Sequence, residues 1–144
     1  MPLLNYTTSI APQKSVMEIQ EKLARAGASA IMAEYDTDGN VVALSFCLKD
    51  EAGRDIAFKL PTNWKPVYET LARQTVSARY KTPEQALRVA WRITKDWVEA
   101  QLAIIETRMV TTAQVFLPYA ITKDGNTVYE YIATNQHLLG SGKN

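Results

Sequence analysis

Residues 82–109, TPEQALRVAWRITKDWVEAQLAIIETRM, constrain the fold more than any other stretch, because no proline or glycine interrupts the chain between Pro83 and Pro118. Thr82 can cap, Pro83 suits the first helical position, and Gln85 can return the capping hydrogen bond. One helix of about 25 residues, roughly 38 Å long at 1.5 Å per residue, is expected. Leu87, Trp91, Val98, Leu102, Ile105 and Met109 share a face, and Ala86, Val89, Ala90, Ile93, Trp97, Ala100 and Ile104 lie beside it. That arc is wider than the usual apolar stripe of about 100°. Such a helix must be covered on more than one side, by the rest of the domain or by another copy of the chain. Thr94 falls inside the arc and can donate to a carbonyl one turn back, whereas Gln101 needs a partner on another element. The polar strip holds Arg88, Arg92, Lys95, Asp96 and Glu99, with Arg92–Asp96 and Lys95–Glu99 spaced as i,i+4 pairs.

The chain before this helix reads as a helix followed by a sheet. In residues 1–14, the alternation in LNYTTSI could add an edge strand. Ser15 and Glu18 form a capping box opening a first helix, with Val16, Ile19, Leu23 and Ala26 on its apolar face and Gly27 as C-cap. Strands are expected at residues 28–35, 41–49 and 54–60, joined by turns at 36–40 and 50–53. In the second strand Val42, Leu44, Phe46 and Leu48 fall on one face. A helix from Asn63 to about Gln74 follows, with Trp64, Val67, Tyr68 and Leu71 inward. After the long helix, Thr111 or Thr112 caps a shorter one that Pro118 limits, and residues 127–132 read as a strand or a helical turn. The fold class is therefore α+β: an N-terminal helix, a three-stranded antiparallel meander, then helices including the long one at about 82–109.

A chain of 144 residues with 47% hydrophobic and 22% charged residues suits one domain, placed at residues 1–136, with a flexible tail at 137–144. The single cysteine, Cys47, excludes an internal disulfide framework and points to a reducing cytoplasm. No stretch is apolar enough to span a bilayer and the first residues lack signal-peptide features, so no membrane partner is expected. The net charge is only +1, yet residues 54–95 hold nine Lys and Arg against three Asp and Glu. Such asymmetry points to an anionic partner, or to neutralisation by the acidic N-terminal part.

Catalytic chemistry finds little support. His137 is the only histidine and has no sequence neighbour suited to a triad or a metal site, and Cys47 sits mid-strand without a base. The run Asp36-Thr37-Asp38-Gly39-Asn40 is hairpin chemistry, since an EF-hand would need glycine where Val41 stands and glutamate where Cys47 stands. Gly140-Ser141-Gly142-Lys143 lacks the hydroxyl residue and the helix of a phosphate loop. No catalytic residue, metal ligand or cofactor is assigned, and the chain is read as a non-enzyme.

Three segments, LNYTT, AWRITKDWVEAQLAIIE and QVFLPYA, resemble a family of short phage, prophage and mobile-element proteins. That family has no established activity or site residues, so the resemblance implies a virus-type context and no chemistry. Helix, three-stranded meander and helix over residues 15–74 is also similar in element order to double-stranded-RNA-binding domains. The basic cluster that would start their second helix is replaced here by Asn63-Trp64-Lys65-Pro66, and order alone does not carry function.

The leading expectation is nucleic-acid binding, DNA ahead of RNA, through Lys59, Lys65, Arg79, Lys81, Arg88, Arg92 and Lys95, with Tyr80, Trp64 or Trp91 able to stack on bases if exposed. Helical spacing favours core packing for Trp91 and Trp97. The alternative is an anti-defence protein that, as an oligomer, sequesters a nucleotide signal or blocks a host defence protein. A homo-oligomer is the expected assembly, motivated by the wide apolar arc.

Overall fold

In a computed structural model describing residues 1–142, two aspartates organise the sheet. Asp36 Oδ1 accepts from the Asp38 and Asn40 amides, both at 2.9 Å, and Asp50 Oδ1 accepts from the Ala52 and Arg54 amides at the same distance. Gly39 and Gly53 complete these turns at φ of 82° and 80°, backbone that only glycine adopts without strain. The turns join β1 (Ala30–Tyr35), β2 (Val41–Lys49) and β3 (Asp55–Pro61) into the expected antiparallel meander, in the order β1-β2-β3.

One detail of the sheet differs from expectation. The register shifts between Glu34 and Tyr35, so that Val41 pairs with Tyr35 while Ala43 pairs with Glu34. This bulge turns Val41 into the core, 6% exposed, with Leu44, Phe46 and Leu48, and leaves Val42 half-buried. A strict alternation places Val42 on that face; the extra residue in β2 breaks the period of two.

The apolar face of the sheet meets α1 (Pro12–Arg25) and the long helix, here labelled α3 (Pro83–Glu106), while α2 (Trp64–Arg73) packs on α3 from another side. Ile19, Leu23, Leu44, Phe58, Trp91, Val98 and Phe116 are all fully enclosed. Phe46, Phe58 and Phe116 form an aromatic triangle with centroids 5.5 to 5.6 Å apart. Trp91 also donates from Nε1 to the carbonyl of Val41 at 3.0 Å, which fastens the bulge to α3. The wide apolar arc of α3 is thus covered largely within the chain. Thr94 donates to the Ala90 carbonyl at 2.8 Å, as its position in the arc requires.

Helix boundaries depart from the sequence reading in three places. α1 begins at Pro12 with Ala11 as N-cap, and Ser15 lies fully buried inside the helix, its Oγ unpaired among the described residues. Proline at the first helical position displaced the capping box as the start signal. At α3, Thr82 caps through the Gln85 amide at 3.1 Å, but the Gln85 side chain turns away from the cap. The helix ends at Glu106, leaving Met109 outside it and 72% exposed.

The Gln85 side chain instead holds the N-terminal residues. Its Nε2 donates to the carbonyls of Tyr6 and Thr8, both at 2.9 Å, while Asn5 Nδ2 donates to Asp96 at 2.8 Å and the Leu3 amide donates to Gln74 at 2.8 Å. Residues 4–7 form a turn, with Asn5 at φ 63°, in place of the expected edge strand. An arm clasped by α2 and α3 has its polar groups satisfied there rather than on the sheet.

Beyond α3, Thr111 caps α4 (Thr112–Phe116) with a full capping box to Gln114, and Pro118 lies in the 3-10 turn Leu117–Tyr119 that follows. Ala120 bridges to Phe58, and the Ile121 amide donates to the Ala57 carbonyl at 2.8 Å, so this segment lines the outer edge of β3. Residues 128–134 resolve to a helix, α5 (Val128–Thr134), capped by Thr127 and Glu130. The 3-10 turn Gln136–Leu138 opens the region read as a tail, whose last two residues, Lys143 and Asn144, lie outside the described residues, as does that part of the phosphate-loop-like run.

The turn and cap carboxylates set an acid limit on stability. Asp36 and Asp50 are held below their ordinary value, chiefly by the amides of Asn40 and Arg54, and Glu130 below its own, chiefly by the Thr127 amide. A depressed folded value means the contribution is present above the unfolded value and lost as pH falls through the folded one. Thermal melts are therefore expected to show Tm falling below about pH 4. The double substitution D36N/D50N should flatten part of that acid limb, since Asn keeps an accepting oxygen and cannot titrate.

Candidate nucleic-acid interface

The fold divides the nine cations of residues 54–95 into two groups. Four face carboxylates: Arg54 meets Asp50 at 2.9 Å, Lys59 meets Glu34 at 3.5 Å, Arg92 pairs with Glu18, and Lys95 meets Glu99 at 2.6 Å. Lys95 also reaches Asp96 at 3.5 Å, and its ammonium is held above its ordinary value, first by the hydrogen bond to Glu99. The other five, Lys65, Arg73, Arg79, Lys81 and Arg88, make no ion pair among the described residues. They come from consecutive elements: α2, the 3-10 turn Ala78–Tyr80, Lys81 just after it, and the first turns of α3.

Local chemistry explains where each of the five sits. Asn63 caps α2 by accepting from the Lys65 amide at 3.1 Å, which places Lys65 in the first turn with its side chain in solvent. Arg73 lies in the last turn, where a cation complements the helix dipole. Lys81 Nζ reaches the Ala72 carbonyl at 3.4 Å, tying the connection to the end of α2. Arg88 donates to Gln85 Oε1 at 3.1 Å, so the same glutamine holds the N-terminal arm and orients a cation. The guanidinium of Arg79 lies 4.7 Å from the Tyr80 ring centroid and donates to its hydroxyl at 2.6 Å.

The aromatic residues are less available than the cations. Trp91 is fully buried, and Trp97, half-buried, packs edge-on against Phe116 and Tyr119. Trp64 is half-buried and sits edge-to-face with Tyr68, 6.2 Å away. Tyr80 has Arg79 against its ring and the Tyr6 ring edge-on at 5.3 Å. Base stacking at Tyr80 therefore requires displacing a neighbour.

Of the eight residues singled out from sequence, Lys65, Arg79, Tyr80, Lys81 and Arg88 lie on α2, the start of α3 and the connection between these two packed helices. Lys59 lies on the sheet, Arg92, only 8% exposed, pairs with Glu18 of α1, and Lys95 pairs with Asp96 and Glu99 of its own helix. Arg73 joins the group; its place in the basic third was visible, its lack of a carboxylate partner was not. The i,i+4 pair Lys95–Glu99 forms, whereas Arg92 bypasses Asp96 for Glu18 on α1. Removing one partner of a pair this buried leaves an uncompensated charge. Arg92→Ala is expected to cost about 3 kcal/mol in urea unfolding, against about 0.5 kcal/mol or less for Glu99→Ala, whose side chain is 49% exposed.

Two concave regions lie elsewhere. One of about 800 Å³ runs between the ends of α1 and α3, and one of about 570 Å³ lies between Lys59 and the 118–130 segment. Among the described residues no group of three or more His, Cys, Asp or Glu could hold a metal ion, and no helix is long and apolar enough to cross a membrane. Comparison with protein-family models, curated proteins and solved structures finds no match to this chain.

Proposed function

We propose that the chain is a non-enzymatic nucleic-acid-binding protein, of the phage or mobile-element accessory type, whose contact surface is formed by Lys65, Arg73, Arg79, Lys81 and Arg88. The observation that supports this reading is the segregation of charge. Four of nine cations are neutralised by carboxylates, and the five that are not belong to the continuous stretch of residues 65–88, on α2, the start of α3 and the connection between them. Unpaired cations on neighbouring rigid elements suit a phosphate backbone, which binds by releasing counterions and asks for no enclosed pocket. DNA is the preferred polymer in this reading, and strand preference follows from whether Tyr80 is freed to stack.

Fluorescence anisotropy with labelled duplex and single-stranded DNA tests it. Five phosphate contacts predict a log–log salt slope near −4.5 for duplex, or a roughly 500-fold weakening between 50 and 200 mM salt. Absence of binding at 50 mM salt would remove the reading. The oligomeric anti-defence alternative drew on the apolar arc of α3, and the cover that α1, α2 and the sheet give that arc leaves it without a supporting observation.

A further inference from the structure

We infer that the outer edge of β1 is a self-association surface, at which two copies of the chain pair antiparallel about a two-fold axis at Ala33 to give one continuous sheet. The ladder fixes which groups that edge offers. The Thr62 amide donates to the Val42 carbonyl at 3.1 Å, so the even-numbered residues of β2 bond toward β3, and Ala43, Ser45 and Cys47 bond toward β1. Their partners Glu34, Met32 and Ala30 are thereby used, and the Asp36 amide, donating to the Asn40 carbonyl at 2.9 Å, continues the same parity. Ile31, Ala33 and Tyr35 therefore direct their N–H and C=O groups away from the sheet, where no described residue meets them.

The two edges of the sheet are treated differently. On β3 the Ala57 carbonyl turns outward to the Ile121 amide at 2.8 Å and Phe58 bridges to Ala120, so that edge is closed. On β1 the usual guards are missing: the strand has no Pro and no Lys, and the extra residue of the bulge lies in β2 instead. Its single charge, Glu34, is held by Lys59 at 3.5 Å, and Met32 and Tyr35 stand 56% and 64% exposed. The strand's own sequence selects a second copy as the occupant. An axis at Glu34 would set that carboxylate against its own copy, and one at Met32 would leave Tyr35 opposite Ser29, outside the strand. An axis at Ala33 sets Ile31 opposite Tyr35 twice, an aliphatic–aromatic pair on the core side, and Met32 opposite Glu34 on the other. All three outward residues then exchange hydrogen bonds, about six in all, and no like charges meet. Strand pairing alone buries less than a standard interface, so the dimer is a weak one.

Sedimentation equilibrium of the full chain from about 10 µM to about 1 mM reads the association, and a monomer–dimer Kd on the order of 100 µM is expected. Ala33→Pro removes an outward amide that the monomer leaves unused, a change an edge strand tolerates, and should weaken association by about 10-fold or more. Tyr35→Lys, at an exposed position, should weaken it to a similar extent. In a Cys47→Ser background, Ala33→Cys should cross-link to its own copy under oxidised glutathione, because a hydrogen-bonded pair holds its Cα atoms about 5.5 Å apart, within disulfide reach. Tyr35→Cys in the same background, opposite Ile31, should not. A monomer throughout the range, association unchanged in both edge variants, or Tyr35→Cys cross-linking as readily as Ala33→Cys would each overturn the pairing.

Discussion

The double substitution K65E/R73E is expected to weaken DNA binding by about 30- to 100-fold at 50 mM salt and to reduce the salt slope by about 2, while leaving the unfolding midpoint nearly unchanged. Both side chains are exposed and neither has a carboxylate partner among the described residues, so reversal removes phosphate contacts without opening an ion pair. Their positions on α2 make the stability comparison clean. A glutamate at residue 65 favours the first turn and one at residue 73 disfavours the last, so the two dipole effects oppose. Reversal of Lys14 and Lys123, which lie outside the surface, is the matched control and should change affinity by less than about 5-fold through general charge alone. Equal losses from the two pairs would show that net charge, rather than this surface, governs binding.

Trp91→Ala is expected to destabilise the fold by about 4 kcal/mol, the largest single-site effect in the chain. The indole is fully enclosed among sheet and helix residues, and truncation also leaves the Val41 carbonyl without its donor at 3.0 Å. Against a typical total of about 5–15 kcal/mol, that loss brings the protein near its unfolding threshold. Trp91→Phe keeps most of the bulk, so a cost of about 2 kcal/mol would isolate the donated hydrogen bond and the residual void. Urea unfolding followed by far-ultraviolet circular dichroism reads both, with a shift in midpoint at constant m-value expected. A cost below about 1 kcal/mol for Trp91→Ala would contradict the packing of α3 against the bulged strand.

Much of this architecture was legible because its determinants are local. The cap at Thr82, the absence of helix breakers after it, and the Asp-Gly and Gly-Asn turn chemistry specified α3 and the meander within windows of a few residues. The departures share a different cause. Ser15 carries a capping signature but sits inside a helix that Pro12 starts earlier, and Gln85 abandons its cap for carbonyls 77 and 79 positions away. The bulge at Val41 is likewise tied to Trp91, 50 residues on. For the candidate surface, composition showed that the middle of the chain is basic. It could not show that Arg92 pairs with Glu18, 74 residues distant, while Arg73 pairs with no carboxylate among the described residues. Whether a charge is available depends on tertiary neighbours, and no window of sequence holds them.

The clasp on the N-terminal arm also bears on how the protein is made. The arm is anchored by Gln74, Gln85 and Asp96, which leave a ribosome some seconds after it at roughly 5–20 residues per second. Over that interval α1 and the meander exist without α3, so the apolar face carrying Phe46 and Phe58 stays wet until the long helix arrives to cover it. Synthesis slowed between residues 61 and 83 would prolong that exposure, so the interval before α3 is complete is when a nascent chain of this kind is most open to aggregation.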